Sequence, residues 1–208
     1  MNVAVVIVGI NQWDEYTKPL ICDLDICGKG AKIIVVDNAS EPPYPHKDGV
    51  TIVRTERVCY SKAINTAVWR AGRPDWILSM NNDVSCYAEF IPLLYSLEPN
   101  AVYSRQIITE AGYTWFGNWI VAIPFNVWSV VGQFDESFRV CGFEDCDYSM
   151  RAMEHGFPTK HADLPFIHHW GKTRWDIPGY PATREENIRY FASKWGWTPG
   201  QNMVVTHD

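Results

Sequence analysis

Runs of apolar, mostly β-branched residues dominate the start of the chain. Two nearly continuous runs cover residues 3–10 and 32–36. Such runs are typical of strands that are buried on both faces of a mostly parallel sheet, because a half-exposed strand would alternate apolar and polar positions. Further strands are predicted at residues 50–54 and 76–80. The first half of the chain therefore predicts a buried sheet.

Helical segments are predicted between these strands, at residues 16–24 and 61–71. Strands that alternate with helices are typical of α/β folds. After about residue 100 the pattern changes to short, aromatic-rich segments, with helices predicted at residues 125–131 and 145–155. No repeat or low-complexity linker separates the halves, so we expect one α/β, Rossmann-like domain over residues 1–208.

A last helix is predicted near the end of the chain. Thr183 precedes Glu186 by three residues, which is the spacing of a capping box at a helix N-terminus. Gly196 is expected to end this helix.

The composition is that of a globular protein, since 47% of the residues are apolar and 20% are charged. Lys and Arg number 18 against 24 Asp and Glu, and the net charge of -6 argues against the broad basic face that non-specific nucleic-acid binding needs. Six cysteines lack the dense spacing of a disulfide framework, so we expect reduced thiols.

A membrane helix or an export signal is not expected. The longest apolar run, residues 3–10, is less than half of the roughly 20 residues that cross a bilayer, and no basic segment precedes it. A cytoplasmic location is the corresponding prediction.

Polar residues follow three predicted strands, where ligands of parallel sheets bind. They are Asn11, the pair Asp37 and Asn38, and the run from Asn81 to Asp83. Asp37 offers a carboxylate to the imide N–H of a nucleobase, or it bonds to its own backbone in an Asx turn. The local pattern favours neither interpretation.

Oxygen ligands for a divalent cation are concentrated in Asn81, Asn82 and Asp83, and they suit Mg²⁺ or Mn²⁺. By itself the pattern favours a polar turn. His168 and His169 follow another apolar segment. A single histidine there is more often a satisfied polar residue, but an imidazole that joins Asp83 would complete a Mn²⁺ site.

Three carboxylates, Glu144, Asp145 and Asp147, crowd the start of a predicted helix. Acidic residues are common in a first turn because they compensate the helix dipole. The alternative is a general base, since crowded carboxylates raise one another's pKa and one of them would take a proton from a hydroxyl.

The joint order of these segments resembles that of family 2 glycosyltransferases, which have the GT-A fold. The matching segments are IIVVDNAS (33–40), ILSMNND (77–83), VGQFDESF (131–138), FEDCDYSMR (143–151) and IHHWG (167–171). The strongest piece, residues 132–156, is similar to the family pattern Gly-x-Phe-Asp-Glu, then Glu-Asp-x-Asp, then Arg and Gly. Residues 194–196 also look like a family ending.

The resemblance implies roles for the donor-binding residues in a nucleotide-sugar half, about residues 1–100. Asp37 would contact the nucleotide base. Asn11 and Asn65 would line the nucleotide pocket, and Asn81 and Asn82 are assigned to the same nucleotide-sugar site.

The resemblance further implies a divalent metal, Mn²⁺ or Mg²⁺, that Asp83 and a late histidine hold on the donor diphosphate. The histidine is His168 or His169, with a slight preference for His168 because it directly follows the apolar segment. Asp145 would be the catalytic base, with Glu144 beside it on the acceptor or donor sugar. Both lie in an acceptor-binding and catalytic half, about residues 101–208.

Departures from the family pattern affect the donor site. Asn81 stands where the fullest metal motif has an aspartate, residues 57–59 read Arg-Val-Cys where Asn-x-Gly is frequent, and Ala67 replaces a usual glycine. Arg57 would then meet a phosphate or simply lie on the surface.

The aromatic residues Trp115, Phe116 and Trp119 would stack on sugar rings or pack in the core.

The expected function is an inverting transfer of a sugar from a nucleoside diphosphate to an acceptor hydroxyl. UDP or dTDP is favoured as the carrier, and GDP is possible. The acceptor, whether a glycan, lipid-linked glycan, protein or modified nucleic acid, stays open. A sugar-phosphate nucleotidyltransferase usually has a glycine-rich loop after the first strand, but residues 9–13 contain one glycine. A degenerate sugar-binding module is disfavoured because Asp83 and Asp145 are both present.

Overall fold

A computed structural model describes residues 2–117, 119–169, 180–200 and 204–207. The first half contains four strands of the predicted sheet and the helices between them. Its elements are β1 (Val3–Gly9), a π-helical turn (Trp13–Thr17), α1 (Lys18–Cys27), β2 (Lys32–Asn38), β3 (Val50–Thr55), α2 (Tyr60–Ala71), β4 (Trp76–Asn81), β5 (Val84–Cys86) and α3 (Ile91–Ser96).

Short strands prevail in the second half, which also contributes three helices. Its elements are β6 (Val102–Ser104), β7 (Ile107–Glu110), β8 (Tyr113–Phe116), β9 (Ile120–Pro124), α4 (Phe125–Val131), α5 (Glu144–Glu154), β10 (Thr159–His161), β11 (Phe166–His168), α6 (Tyr180–Trp195) and β12 (Val204–His207).

The central sheet has seven strands in the order β10-β6-β9-β4-β1-β2-β3. Strands β4, β1, β2 and β3 pair in parallel, and β9 is antiparallel to both of its neighbours, β4 and β6. Strand β10 returns to the common direction beside β6. The predicted α/β class with a mixed, mostly parallel sheet is therefore confirmed. A two-stranded ribbon, β11-β5, and a three-stranded sheet, β12-β7-β8, complete the described strands.

Both faces of the central sheet are covered, which explains the continuous apolar runs. Alternate residues of β1 enter different cores: Val5 and Ile7 pack with α1, α3 and the β5-β11 ribbon, whereas Val6 and Val8 pack with α2, α4 and α5. Every residue of β1 is buried. The sheet is thus the middle layer of three.

Helix α6 packs on a third cluster, which includes Trp115, Phe138, Cys146, Met150 and Phe191. The predicted capping box at Thr183 is wrong. Thr183 lies inside α6, which already includes Tyr180, and its hydroxyl donates to the Tyr180 carbonyl oxygen at 3.0 Å. The predicted end of the helix is confirmed, since α6 ends at Trp195 and Gly196 has a positive φ of 76°.

All six cysteines are free thiols. Among the described residues, no helix is long and apolar enough to cross a bilayer.

A charged network joins the last turn of α6 to α5 and to the segment before α5. The Lys194 Nζ atom lies 2.8 Å from Asp135 Oδ2 and 2.6 Å from Asp147 Oδ1. The Asp147 side chain is fully buried and also accepts hydrogen bonds from Arg151 and Trp195. Burial raises the pKa of Asp135, but hydrogen bonds from Lys194, Ser137 and Tyr190 outweigh it and hold that pKa well below its ordinary value.

Lys194→Met is expected to lower the free energy of unfolding by about 3 kcal/mol at pH 7, because truncating one member of a buried pair leaves the carboxylates uncompensated. The folded-state pKa of Asp135 is depressed, so its contribution is present above the unfolded pKa of about 3.9 and is lost as the pH falls below that value. Urea unfolding at pH 7 and pH 3 should show the difference between the two proteins shrinking in acid.

Lys18→Met is the matched control, since Lys18 pairs with Asp14 on an exposed helix surface. Its effect should stay within about 0.5 kcal/mol. Equal losses in the two variants would contradict the buried network.

Candidate functional site

The carboxyl ends of β4, β1 and β2 lie side by side and bring the predicted polar residues to one edge. In the register of the sheet, Gly9 is paired with Asp37, and Val8 is paired with Asn81. Asn11 comes two residues after the end of β1. These polar residues therefore lie at the same edge of the sheet.

Asp37 lies within β2 and is buried, with its carboxylate engaged by the protein. Oδ1 accepts from the Ser40 amide at 2.9 Å, and Oδ2 accepts from the Tyr44 amide at 3.1 Å and from Arg54 at 2.7 Å. Burial raises the pKa of Asp37, but these hydrogen bonds outweigh it and lower the pKa overall. The carboxylate therefore shapes the loop after β2, and its contact with a nucleobase stays a prediction.

A chain of hydrogen bonds crosses the ends of β1 and β4. The Asn82 amide donates to Thr17 Oγ1 at 3.1 Å, Thr17 donates to the Tyr44 hydroxyl at 3.1 Å, and Tyr44 donates to the Asn11 carbonyl oxygen at 2.6 Å. Gly9 lies against it, where an added Cβ would come within 2.5 Å of the Tyr44 hydroxyl oxygen. Glycine is needed at this position because any side chain would clash with the Tyr44 hydroxyl. The Asn82 side chain is held at this edge of the sheet by its hydrogen bond to Thr17.

Asp83 and His168 come together although they are far apart in the sequence. Asp83 Oδ1 lies 3.2 Å from His168 Nε2, and both side chains are buried. The imidazole stacks on the Trp119 ring, with ring centroids 5.2 Å apart and an interplanar angle of 4°. His169 differs: its backbone amide donates to the Asp83 carbonyl oxygen, and its ring lies 3.0 Å from Ser85 Oγ.

The donor set of this pair suits a divalent cation. A buried carboxylate oxygen beside an imidazole nitrogen offers the oxygen and nitrogen ligands that Mn²⁺ accepts, and the stacked Trp119 ring holds the imidazole in place. Within the part of the chain that the structure describes, no group of three or more His, Cys, Asp or Glu residues gathers for a metal. A cation here would take its remaining ligands from a bound molecule and from water.

Tyr60, the first residue of α2, contacts the same edge, and the sequence had not drawn attention to it. Its hydroxyl donates to Asn81 Oδ1 at 3.0 Å. Burial, followed by the negative charges of Glu144 and Asp83, raises the pKa of Tyr60 well above its ordinary value. The phenol therefore stays protonated and lies within electrostatic range of both Asp83 and Glu144.

Asn65 is buried and bound to the segment before α5. Its Nδ2 donates to the Phe134 carbonyl oxygen and to Glu136, and its Oδ1 accepts from the Phe134 amide. Arg57 is exposed at the turn after β3. In the structure, the hydrogen bonds of Asn65 join α2 to the segment before α5. The predicted contacts of Asn65 with a nucleotide and of Arg57 with a phosphate stay predictions.

The three carboxylates at the start of α5 have different surroundings. Glu144 is 1% exposed and accepts a short hydrogen bond from the Gly142 amide. Asp147 is buried in the Lys194 network. Asp145 is the most accessible of the three and caps the Cys146 amide at 2.9 Å. Of these three carboxylates, only Asp145 is partly exposed to solvent.

The aromatic residues proposed for sugar stacking are all buried, with Trp115, Phe116 and Trp119 at most 4% exposed. Phe116 and Trp115 belong to hydrophobic clusters, and Trp119 supports His168. Of the two interpretations, core packing describes their positions.

Sequence comparison finds no family model that matches the chain and no curated protein that matches it significantly. Solved structures do match. GalNAc-T7 with UDP, GalNAc and Mn²⁺ has a TM-score of 0.74 at 11% identity over 94% of this chain. This chain has the GT-A fold. Mannosyltransferase PcManGT from Pyrobaculum calidifontis, with GDP-Man and Mn²⁺, has a TM-score of 0.62 at 18% identity over 95%.

A third structure is Drosophila β1,4-galactosyltransferase 7 with manganese, UDP-Gal and xylobiose, with a TM-score of 0.60 at 13% identity over 88% of this chain and 79% of that one. The chain spans 48% of the GalNAc-T7 structure and 65% of PcManGT. These likenesses show the GT-A fold, which the sequence predicted.

Proposed function

We propose that this protein is a metal-dependent glycosyltransferase that moves a sugar from a nucleoside diphosphate to an acceptor hydroxyl with inversion. The observation that carries the proposal is the Asp83–His168 pair, 3.2 Å apart at the carboxyl edge of the sheet. This edge is where the α/β fold places its ligands. The matched structures that contain UDP, GDP-Man or UDP-Gal together with manganese support this choice.

Inversion requires one displacement at the anomeric carbon. Asp145 would accept the proton of the acceptor hydroxyl as that oxygen attacks, and the nucleoside diphosphate would leave from the opposite face. When bound at Asp83 and His168, Mn²⁺ or Mg²⁺ supplies positive charge to the departing diphosphate. Asp145 is preferred to Glu144 as the base because Glu144 is 1% exposed and already holds the Gly142 amide.

The donor proposed first is a UDP or dTDP sugar. Asp37 and Asn11 lie near the carboxyl ends of β2 and β1. Asp37 accepts hydrogen bonds from the Ser40 and Tyr44 amides and so orders the loop after β2. A pyrimidine imide N–H matches an acceptor at this edge. A GDP sugar is the alternative donor, because guanine also presents an N–H of this kind.

A thermal-shift panel tests this function. UDP, dTDP and GDP sugars, each with and without Mn²⁺, are added to the protein. A donor at 100 times its Kd stabilises the folded state by about 2.7 kcal/mol, which raises Tm by roughly 5–10 °C for a chain of this size. We expect the sugar of one of these three nucleotides to raise Tm only when Mn²⁺ is present. With that donor, an acceptor screen should then show release of nucleoside diphosphate.

His169→Ala is the matched control and should keep the Mn²⁺-dependent shift. A shift without any turnover across glycan, lipid-linked and peptide acceptors would favour a sugar-binding module. A shift with nucleoside triphosphate and sugar 1-phosphate, and none with nucleotide sugars, would instead indicate nucleotidyl transfer and contradict the proposal.

A further inference from the structure

The segment just before the acidic cluster, residues 139–143, has an unusual backbone. We call it the pre-α5 loop. Val140 has a φ of +54°, Gly142 of +109° and Phe143 of +73°. A β-branched residue such as Val140 rarely adopts a left-handed conformation, which persists only where surrounding contacts hold it. The contacts that hold this loop therefore decide where α5 begins.

Asn187 of α6 makes four hydrogen bonds to this loop. It is 1% exposed. Its Oδ1 accepts from the Arg139 amide at 2.8 Å, and its Nδ2 approaches the carbonyl oxygens of Arg139 at 2.8 Å, Cys141 at 3.1 Å and Gly142 at 3.2 Å. The acceptor faces an N–H and the donor faces carbonyls, so only one orientation of the amide satisfies the loop.

Two further anchors bind the same loop. The Tyr60 amide donates to the Val140 carbonyl oxygen at 2.7 Å. Glu144 accepts from the Gly142 amide with its own carboxylate. The loop is thus held by residues of α2 and of α6. Glu144 and Asp145 come directly after it in the chain, so the conformation of the loop sets the positions of their side chains.

The attachment of α6 as a whole does not depend on Asn187. Its last turns are fastened by Lys194 to Asp135 and Asp147, and by Trp195 to Asp147. Phe191 lies fully buried in the third cluster. Removing the Asn187 amide therefore releases the loop while the rest of the helix remains docked.

We propose that Asn187 is a positioning residue of the transfer reaction, holding the pre-α5 loop so that Asp145 faces the acceptor hydroxyl. The inference rests on the proposed function. Asn187 does not itself touch the reacting atoms. A displacement of about 1 Å at a reacting group can cost 10²-fold in rate, so a buried amide that sets this loop has a catalytic consequence.

Asn187→Ala and the isosteric Asn187→Asp test this role. We expect kcat to fall by about 10- to 100-fold in both, while the KM for the donor and the Mn²⁺-dependent thermal shift stay at wild-type values. Asn187→Asp keeps the oxygen that accepts from the Arg139 amide but places a second oxygen against the carbonyl oxygens of Cys141 and Gly142. Although aspartate has the same shape as asparagine, it should therefore not restore kcat. Amide hydrogen exchange should increase in residues 139–143 alone.

Leu24→Ala is the control for lost stability, since Leu24 is 1% exposed in the core on the opposite face of the sheet. It should keep its kcat at temperatures where it is folded. Wild-type kcat in either Asn187 variant would overturn the inference, as would equal losses in donor binding and turnover. Failure of both variants to fold, while Leu24→Ala folds, would also overturn it. A wild-type protein that transfers no sugar would refute the proposed function instead.

Discussion

Asp145→Asn is expected to lower kcat by about 10²- to 10⁴-fold and to leave donor affinity nearly unchanged, because a general base acts in the transition state. Asp145 is the most accessible carboxylate at the start of α5. Its neighbour Glu144 is 1% exposed and bound to the Gly142 amide. Steady-state kinetics on the donor that passes the thermal-shift panel, with donor affinity from calorimetry, measure both quantities.

Glu144→Gln is the comparison that decides between the two neighbours. Glutamine retains an oxygen for the Gly142 amide, so kcat should change by no more than about tenfold, the value of one hydrogen bond. Glu154→Gln, at the exposed far end of α5, is the matched control and should be neutral. Near-normal kcat in Asp145→Asn with a collapse in Glu144→Gln would move the base to Glu144.

Asp83→Ala and His168→Ala are expected to abolish measurable Mn²⁺ binding in the presence of nucleoside diphosphate. The rate of transfer should fall by roughly 10²- to 10³-fold, because a bound cation contributes several kcal/mol of charge stabilisation at the leaving diphosphate. Asp83 Oδ1 and His168 Nε2 are 3.2 Å apart, so each variant removes one side of the same site. Electron paramagnetic resonance of Mn²⁺ measures the binding directly.

His169→Ala separates the two adjacent histidines. Its ring nitrogen lies beside Ser85, and its backbone amide donates to the Asp83 carbonyl oxygen, so Mn²⁺ binding and turnover should persist. Loss of Mn²⁺ binding in His169→Ala with retention in His168→Ala would assign the ligand to His169. Full transferase activity after exhaustive treatment with EDTA would contradict the metal site altogether.

The second half of the fold was less predictable than the first. Strands β6, β10 and β11 contain three residues each, too few for a period to be visible. The aromatic segment 113–116 forms β8, which pairs with β7 in a hairpin. From the sequence, its aromatic residues are equally consistent with stacking on a sugar and with packing in the core. Thr183 and Glu186 match a capping box, but α6 includes residues upstream of both, from Tyr180.

Several residues of the site could not be found from local patterns. Tyr60, Tyr44 and Thr17 are ordinary helix and loop residues in the sequence, and their role follows from the Asn81, Asn11 and Asn82 groups that they contact. Asn187 reads as a polar position on a helix. Only its contacts with the pre-α5 loop distinguish it, because those contacts join elements that are distant in the chain.

The sequence by itself determined the buried parallel strands, the helices between them, and the order of Asp37, Asp83 and the acidic cluster, since apolar periodicity and short motifs are local properties. It gave His168 only a slight preference over His169, and its choice of Asp145 over Glu144 rested on the family resemblance alone. Those distinctions depend on burial and on partners: Trp119 beneath His168, Ser85 beside His169, and the Gly142 amide on Glu144. Only the tertiary structure brings Trp119 to His168 and Ser85 to His169, because these residues are distant in the chain, and only the packed fold buries Glu144.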